Sequence, residues 1–152
     1  MFGETELLEA SAYDDWLALW DNECYYWAPF QQSVTKPASV VNLIYDDKAR
    51  LTDRVRRLTS GDAHSQDPPS VTSRMLGPVR PWSGGSWQPD LEFGPVLETR
   101  FVTTELRRGM RRQYAGKATY WLREADGSYR IVGKRVDLLE ALGPLGNLTI
   151  LL

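Results

Sequence analysis

Tyr45 to Ser70 reads YDDKARLTDRVRRLTSGDAHSQDPPS. The run parses as a strand end, a capped helix with an arginine stripe, and a Pro-Pro turn. Asp46 or Asp47 can cap the helix, because a carboxylate there accepts the free N–H groups of the first turn. Leu51, Val55 and Leu58 recur at i, i+4, i+7 and form one apolar face. Arg50, Arg54 and Arg57 repeat that spacing one residue earlier and line the adjoining face. Asp46–Arg50 and Asp53–Arg57 are acid-to-base pairs at i, i+4. On an exposed helix each is worth roughly 0.2–0.5 kcal/mol.

Upstream, residues 4–22 read as helix in two pieces, with Leu8, Ala12, Trp16 and Leu19 at helical spacing. Ser11 with Asp14 marks a possible start of the second piece. Cys24–Pro29 is a short aromatic strand and Val40–Tyr45 a β-branched one. Gly61 to Pro69 is dense in turn residues. Downstream the pattern is antiparallel sheet. Val71–Val79 is a strand broken near Gly77-Pro78. The stretch PWSGGSWQPD, residues 81–90, is loop-like but carries two tryptophans. Leu91–Arg107 and Arg111–Arg123 are long strands joined around Arg108-Gly109. Asp126-Gly127 is a strong hairpin signal, since both residues tolerate positive φ. Tyr129–Leu139 completes that hairpin, and Leu148–Leu152 is a last apolar segment.

Helices followed by a meander predict an α+β fold, with N-terminal helices packed on a strongly curved antiparallel or mixed sheet. The 152 residues suit one domain, 1–152, with helices at about 4–22 and 46–59 and sheet mostly in 71–152. Apolar residues make up 42% and charged ones 25%, as in a folded soluble protein. Six Trp and seven Tyr favour a strand-rich core or a sizeable interface. A net charge of -2 gives no case for nucleic acid. The chain has no apolar stretch of membrane-spanning length and opens with no signal peptide. The single cysteine, Cys24, excludes an intrachain disulfide and suits a reducing cytoplasm.

A strand running into YDD, then an Arg-rich helix, then His64-Ser65-Gln66-Asp67-Pro68-Pro69-Ser70, resembles the small (β) subunit of aromatic-ring-hydroxylating dioxygenases. Tyr13-Asp14-Asp15-Trp16-Leu17-Ala18-Leu19 and Tyr26-Trp27-Ala28-Pro29 look like that family's upstream segments. Tyr114-Ala115-Gly116-Lys117, Asp126-Gly127, Lys134-Arg135-Val136 and Leu145-Gly146-Asn147-Leu148 follow in its order. The resemblance spans nearly the whole chain, which looks slightly short at its N-terminus. It implies the cone fold shared with nuclear transport factor 2 and scytalone dehydratase. It also implies a non-catalytic assembly role beside an α subunit that carries the Rieske cluster and the mononuclear iron. The β subunit usually trimerises, in an α3β3 complex that oxidises aromatic compounds. Interface candidates are Asp46, Asp47, Arg50, Arg54, Gln66 and Asp67, because an arginine-lined edge gives directional, bidentate contacts. The chain departs from the family after Pro-Pro-Ser. Val71-Thr72-Ser73-Arg74 and Gly77-Pro78 replace Arg-Thr-Arg and a later Ser-Asn, and the 81–90 loop looks elaborated. These departures bear on the usual α contacts.

Counting donors bounds the chemistry. A Rieske cluster needs two Cys and two His, and the mononuclear site two His and a carboxylate. One His and one Cys build neither. No cofactor is expected in this chain; a metal site made only of carboxylates stays open, but nothing in the sequence marks one. Phosphate loop, dinucleotide fingerprint and nucleophile elbow are all missing. The alternative reading is a stand-alone cone-fold dehydratase, isomerase or small-ligand binder using His64 with Asp62, Asp67 or a tyrosine. It requires an open, polar-lined cavity. His64 lies in a polar loop, where a surface or interface histidine is the commoner case. Cys24 reads as a small buried apolar residue. Arg107, Arg108, Arg111 and Arg112 bracket a turn, as an anion patch, a solvated tip, or a rim pairing with acids on a partner. Tyr25, Tyr26, Trp27, Trp82, Trp87, Tyr120 and Trp121 could line a pocket. At alternating strand positions, core or interface is the default.

Overall fold

The computed structural model describes residues 2–39, 41–60, 68–85, 87–140, 148 and 150–152. Two short helices open the chain, α1 (Phe2–Glu9) and α2 (Tyr13–Ala18). The break between them falls at Ser11, whose φ is 55°. Ser11 therefore bends the chain rather than capping it. Ala12 is the N-cap of α2, and no side chain caps the helix.

Helix ends earlier than its apolar spacing suggests. The strand β1 (Trp20–Pro29) already includes Trp20 to Glu23. Tertiary pairing wins over local propensity here. The Ile131 N–H donates to the Leu19 carbonyl at 2.9 Å. Trp20 is buried beside Trp16, with ring centroids 5.4 Å apart.

The second strand, β2 (Asn42–Asp47), leads directly into α3 (Lys48–Thr59). Leu51 and Val55 of α3 are buried, as the apolar spacing predicts. Then follow β3 (Val71–Leu76), the two-residue β4 (Arg80–Pro81), β5 (Val96–Arg107), β6 (Met110–Ala125) and β7 (Ser128–Leu138). The break at Gly77-Pro78 lies between β3 and β4. Residues 91–95, expected in a strand, are loop. Pro95 has no N–H for a ladder, and its carbonyl instead accepts from Leu122 N–H at 3.1 Å. Arg108-Gly109 and Asp126-Gly127 close the two long hairpins, all four at positive φ between 50° and 74°. That pairing of left-handed residues matches the twist of the flanking strands.

One sheet runs β2-β1-β7-β6-β5-β3, with β4 beside β5. All neighbours are antiparallel except β1 and β7, which run parallel. The sheet is thus mixed. Alternation along β6 sends Tyr114, Ala118 and Tyr120 to the helices, and Thr119 and Trp121 to the other face. A hydrophobic cluster fills each side. Between helices and sheet lie Trp16, Trp20, Tyr26, Leu51, Phe101, Tyr120, Val136 and the chain's last residues, Ile150 to Leu152. Those last residues are buried but form no strand. Across the sheet, Trp27, Val34, Trp87, Trp121 and Val132 form a second cluster. The loop carrying Trp82, Trp87, Leu91 and Phe93 covers it.

Candidate functional site

The expected interface edge lies where β2 meets α3. Asp47 is the helix cap: its Oδ1 accepts the Arg50 N–H at 2.9 Å. Asp46 is still in the strand, so its pairing with Arg50 does not form. Its Oδ2 accepts instead from Arg54 Nε at 2.5 Å, and Asp46 is buried. Arg50 reaches back to the Tyr45 carbonyl at 3.3 Å. Asp53 pairs with Arg56 at i, i+3 rather than with Arg57. Gln66, Asp67 and His64 lie outside the described residues. Arg54 therefore supports the fold before it can serve a partner. Arg54→Ala should lower stability by about 1–3 kcal/mol, the usual result of stranding a buried polar group. A urea midpoint unchanged within about 0.3 M would refute this, at ordinary slopes of 1–3 kcal/mol per molar. Arg50, exposed at the same edge, is the cleaner probe of assembly.

The interior between helices and sheet holds a buried charge network that the sequence did not reveal. Lys134 Nζ donates to Glu4 Oε1 at 2.7 Å and to the Leu152 carbonyl at 2.6 Å. Trp16 Nε1–H donates to Glu4 Oε1 at 3.0 Å, and the Tyr120 hydroxyl to Oε2 at 2.7 Å. The Tyr26 hydroxyl donates to the Leu152 carbonyl and accepts the Leu152 N–H. Lys134 also sits over the Tyr120 and Tyr26 rings, 5.0 and 5.6 Å from their centroids. Burial pushes the Glu4 carboxyl up, but the Lys134 charge and three donors outweigh it and hold it below the usual range. Burial pulls Lys134 down against the opposing attraction of Glu4. It also raises both tyrosines far beyond use as bases near neutrality. The space left beside this network is about 20 Å³, room for a water at most. A proton-transfer pocket needs far more. Among the described residues, an ion pair, aromatic rings and Ile150 to Leu152 occupy the space between helices and sheet.

Among the described residues, the opposite face of the sheet is only partly covered. Beside the tryptophan loop lies a groove of about 350 Å³, within the range of ligand-sized clefts. Trp82, Trp87 and Trp121 wall one side of it, and Arg100, Lys117 and Arg135 supply its charge. Arg135 is held by both Asp137 oxygens, at 2.8–3.1 Å, and stacks 4.5 Å from the Trp27 ring centre. Val71, Met75, Val102 and Leu106 beyond the groove, and Leu139 at its lining, are exposed, from 38% to 74%. The aromatic residues of the sequence thus divide. Tyr26 and Tyr120 belong to the interior, whereas Trp27, Trp82, Trp87 and Trp121 build the groove side.

Comparison with known proteins fits this arrangement. Residues 3–142 match the family described as ring hydroxylating beta subunit. The small oxygenase component of the p-cumate 2,3-dioxygenase system of Pseudomonas putida is 34% identical over 155 aligned positions. That alignment covers 100% of this chain and 83% of the relative. Among solved structures, the β subunit of benzoate 1,2-dioxygenase from Burkholderia mallei superposes with a TM-score of 0.75 at 22% identity. The match covers 99% of this chain and 91% of that one. An NTF2-like protein from Novosphingobium aromaticivorans gives a TM-score of 0.55 at 12% identity, over 90% and 75% of the two chains. The chain belongs to the ring hydroxylating β-subunit family and has the α+β cone fold of nuclear transport factor 2.

Proposed function

We propose that this chain is the non-catalytic small subunit of a dioxygenase that oxidises an aromatic carboxylate, and that it supports the iron-bearing large subunit. The whole-length likeness to a p-cumate dioxygenase small component carries the reading. The small space left beside the Glu4–Lys134 network among the described residues agrees with it, since proton transfer to a ligand there would need more room. We place the Rieske cluster and mononuclear iron in the large subunit. The donors here do not fit them. The one cysteine, Cys24, is buried on β1, and burial, with Lys48 opposing, pushes its thiol up to about 11. It is therefore not a ready thiolate ligand. The small subunit self-associates as a trimer, and three large subunits ride on it in the cytoplasm. Asp47 and Arg50, with Gln66 and Asp67, form the α-facing edge. Among the described residues no helix is long and apolar enough to cross a membrane.

Native mass spectrometry after co-expression with a large subunit of a carboxylate-oxidising system tests this. The expected result is a mixed complex containing iron, with no arene turnover by the small chain alone. A chain that never enters the complex, or that converts substrate unaided, would overturn it.

A further inference from the structure

We infer that the tryptophan-walled groove is a binding site for a small aromatic carboxylate, held by Arg100 and Lys117 at one end and by the indoles at the other. Such binding needs only this chain, so it stands apart from the assembly role proposed above.

Strand register places the charges. Arg100 of β5 stands opposite Lys117 of β6, which stands opposite Asp137 of β7. In the next row on that face Arg80, Glu98, Thr119 and Arg135 are aligned in the same way. Side chains alternate along a strand, so both rows share the face that carries Trp121. On these rows Arg80, Arg100, Lys117 and Arg135 outnumber Glu98 and Asp137. Arg135 and Asp137 satisfy each other through hydrogen bonds of 2.8–3.1 Å. Lys117 Nζ lies 3.7 Å from Glu98 Oε2, too far for a hydrogen bond, and that oxygen has no donor among the described residues. Arg100 makes no ion pair among the described residues. Like charges directly opposite on a sheet repel. An anion between Arg100 and Lys117 relieves that repulsion, and a carboxylate matches the guanidinium fork.

The rest of the groove suits a ring. Trp82, Trp87 and Trp121 wall it, with Trp82 edge-on to Trp121 at 5.6 Å. Gly85 lies against the Trp82 indole, where a Cβ would come within 3.1 Å of the ring. Indoles hold planar rings through offset or edge contacts. Trp121 is 1% exposed, yet its N–H has no acceptor among the described residues. Buried donors are normally paired, and a ligand oxygen supplies the missing acceptor. Lys117 and Trp121 stand about 13 Å apart along β6, at ~3.3 Å per residue. The lysine side chain covers part of that span, and one ring with its carboxylate covers the rest. The combination selects the ligand. An inorganic anion would use the cations alone, and a neutral arene the indoles alone.

Titration of the full chain with benzoate, followed by calorimetry and by the indole N–H signals of isotope-labelled protein, tests the site. Benzoate should bind saturably below millimolar concentration and move the Trp121 indole signal downfield. Acetate, which lacks the ring, and benzyl alcohol, which lacks the charge, should each bind at least about tenfold more weakly. Arg100 is exposed, so Arg100→Gln should lose about tenfold or more in affinity with unchanged circular dichroism. Arg100→Lys, which keeps the charge but not the fork, should lose less. Lys117→Gln repeats the test from the neighbouring strand. Equal binding of acetate and benzoate would reduce the site to an adventitious anion patch and overturn it. Binding that ignores both cations, or no saturation at millimolar benzoate, overturns it as well. The same titration on the complex with a large subunit separates ligand from partner. Benzoate excluded there would make the groove a subunit contact, overturning the ligand site while the assembly role stands.

Discussion

Lys134→Met should destabilise the protein by about 3–5 kcal/mol at neutral pH, the usual consequence of removing one partner from a buried ion pair. The Glu4 carboxylate would keep its Trp16 and Tyr120 donors but lose its only buried counter-charge among the described residues. The pH dependence gives the loss its signature. In the wild type the folded Glu4 value lies below the ordinary 4.5. Its contribution is therefore complete above that value and is lost as pH falls through the folded one. Without Lys134 the burial that pushes Glu4 up loses its strongest opponent, and the Trp16 and Tyr120 donors are left to oppose it. The variant should then recover part of its deficit between pH 7 and 5, where the wild type changes little. Replacing both partners, Glu4→Leu with Lys134→Met, should cost much less than the single change, because no charge is stranded. Urea unfolding at the two pH values measures all three. A deficit under about 1 kcal/mol that ignores pH would mean that the pair contributes like an exposed bridge.

Gly116→Ala is expected to be as damaging, for a steric reason. A Cβ at Gly116 would lie 2.3 Å from the Asp137 carbonyl oxygen and 3.1 Å from the Leu138 Cα. Both are backbone of the neighbouring strand, so no rotamer change can relieve the clash. Overpacking usually costs about 1–3 kcal/mol. A clash with backbone belongs at or above the top of that range, and β6 would have to part from β7. Gly133→Ala is the control. There a new Cβ meets the Pro89 ring at 3.0 Å and Trp121 at 3.3 Å, both side chains able to give a little. Thermal unfolding should show a much larger drop for Gly116→Ala than for Gly133→Ala. Equal drops would mean that the strands separate at no cost.

Several local signals in the sequence hold where neighbouring residues decide the outcome, although Asp53 pairs with Arg56 rather than Arg57 and no side chain caps the second helix. The Leu51–Val55 spacing gave a helix with that face buried, Asp47 caps it, and Asp126-Gly127 turns a hairpin. Signals failed where distant partners decide. Trp20 falls inside the 4–22 stretch that reads as helix, yet Trp16, Tyr26 and β7 claim it for a strand. Asp46 sits four residues before Arg50, but a strand end aims it at Arg54. Glu4 and Lys134 are 130 positions apart, and nothing local joins them. A faint signal did exist: Lys134 alternates with Val136 and Leu138 on one strand face, a cation within an apolar row. The groove was half legible. Its tryptophans stand out in the sequence, but which face of the sheet they cover depends on the strand order. The family resemblance rested on motif order, which survives divergence better than contacts, and it predicted the fold that the structure shows.

Trp82 and Trp87 stand edge-on to Trp121 at 5.6 and 4.8 Å, and Trp27 lies 5.0 Å from Trp87. Indoles this close share their electronic transitions, so the four chromophores absorb and emit as a coupled set rather than singly. The chain thereby carries an optical gauge on one face of its sheet. Its near-ultraviolet dichroic bands register whether the 81–90 loop is seated, with no label attached. Trp16 and Trp20, on the far side, sit apart from that set and report the helices instead.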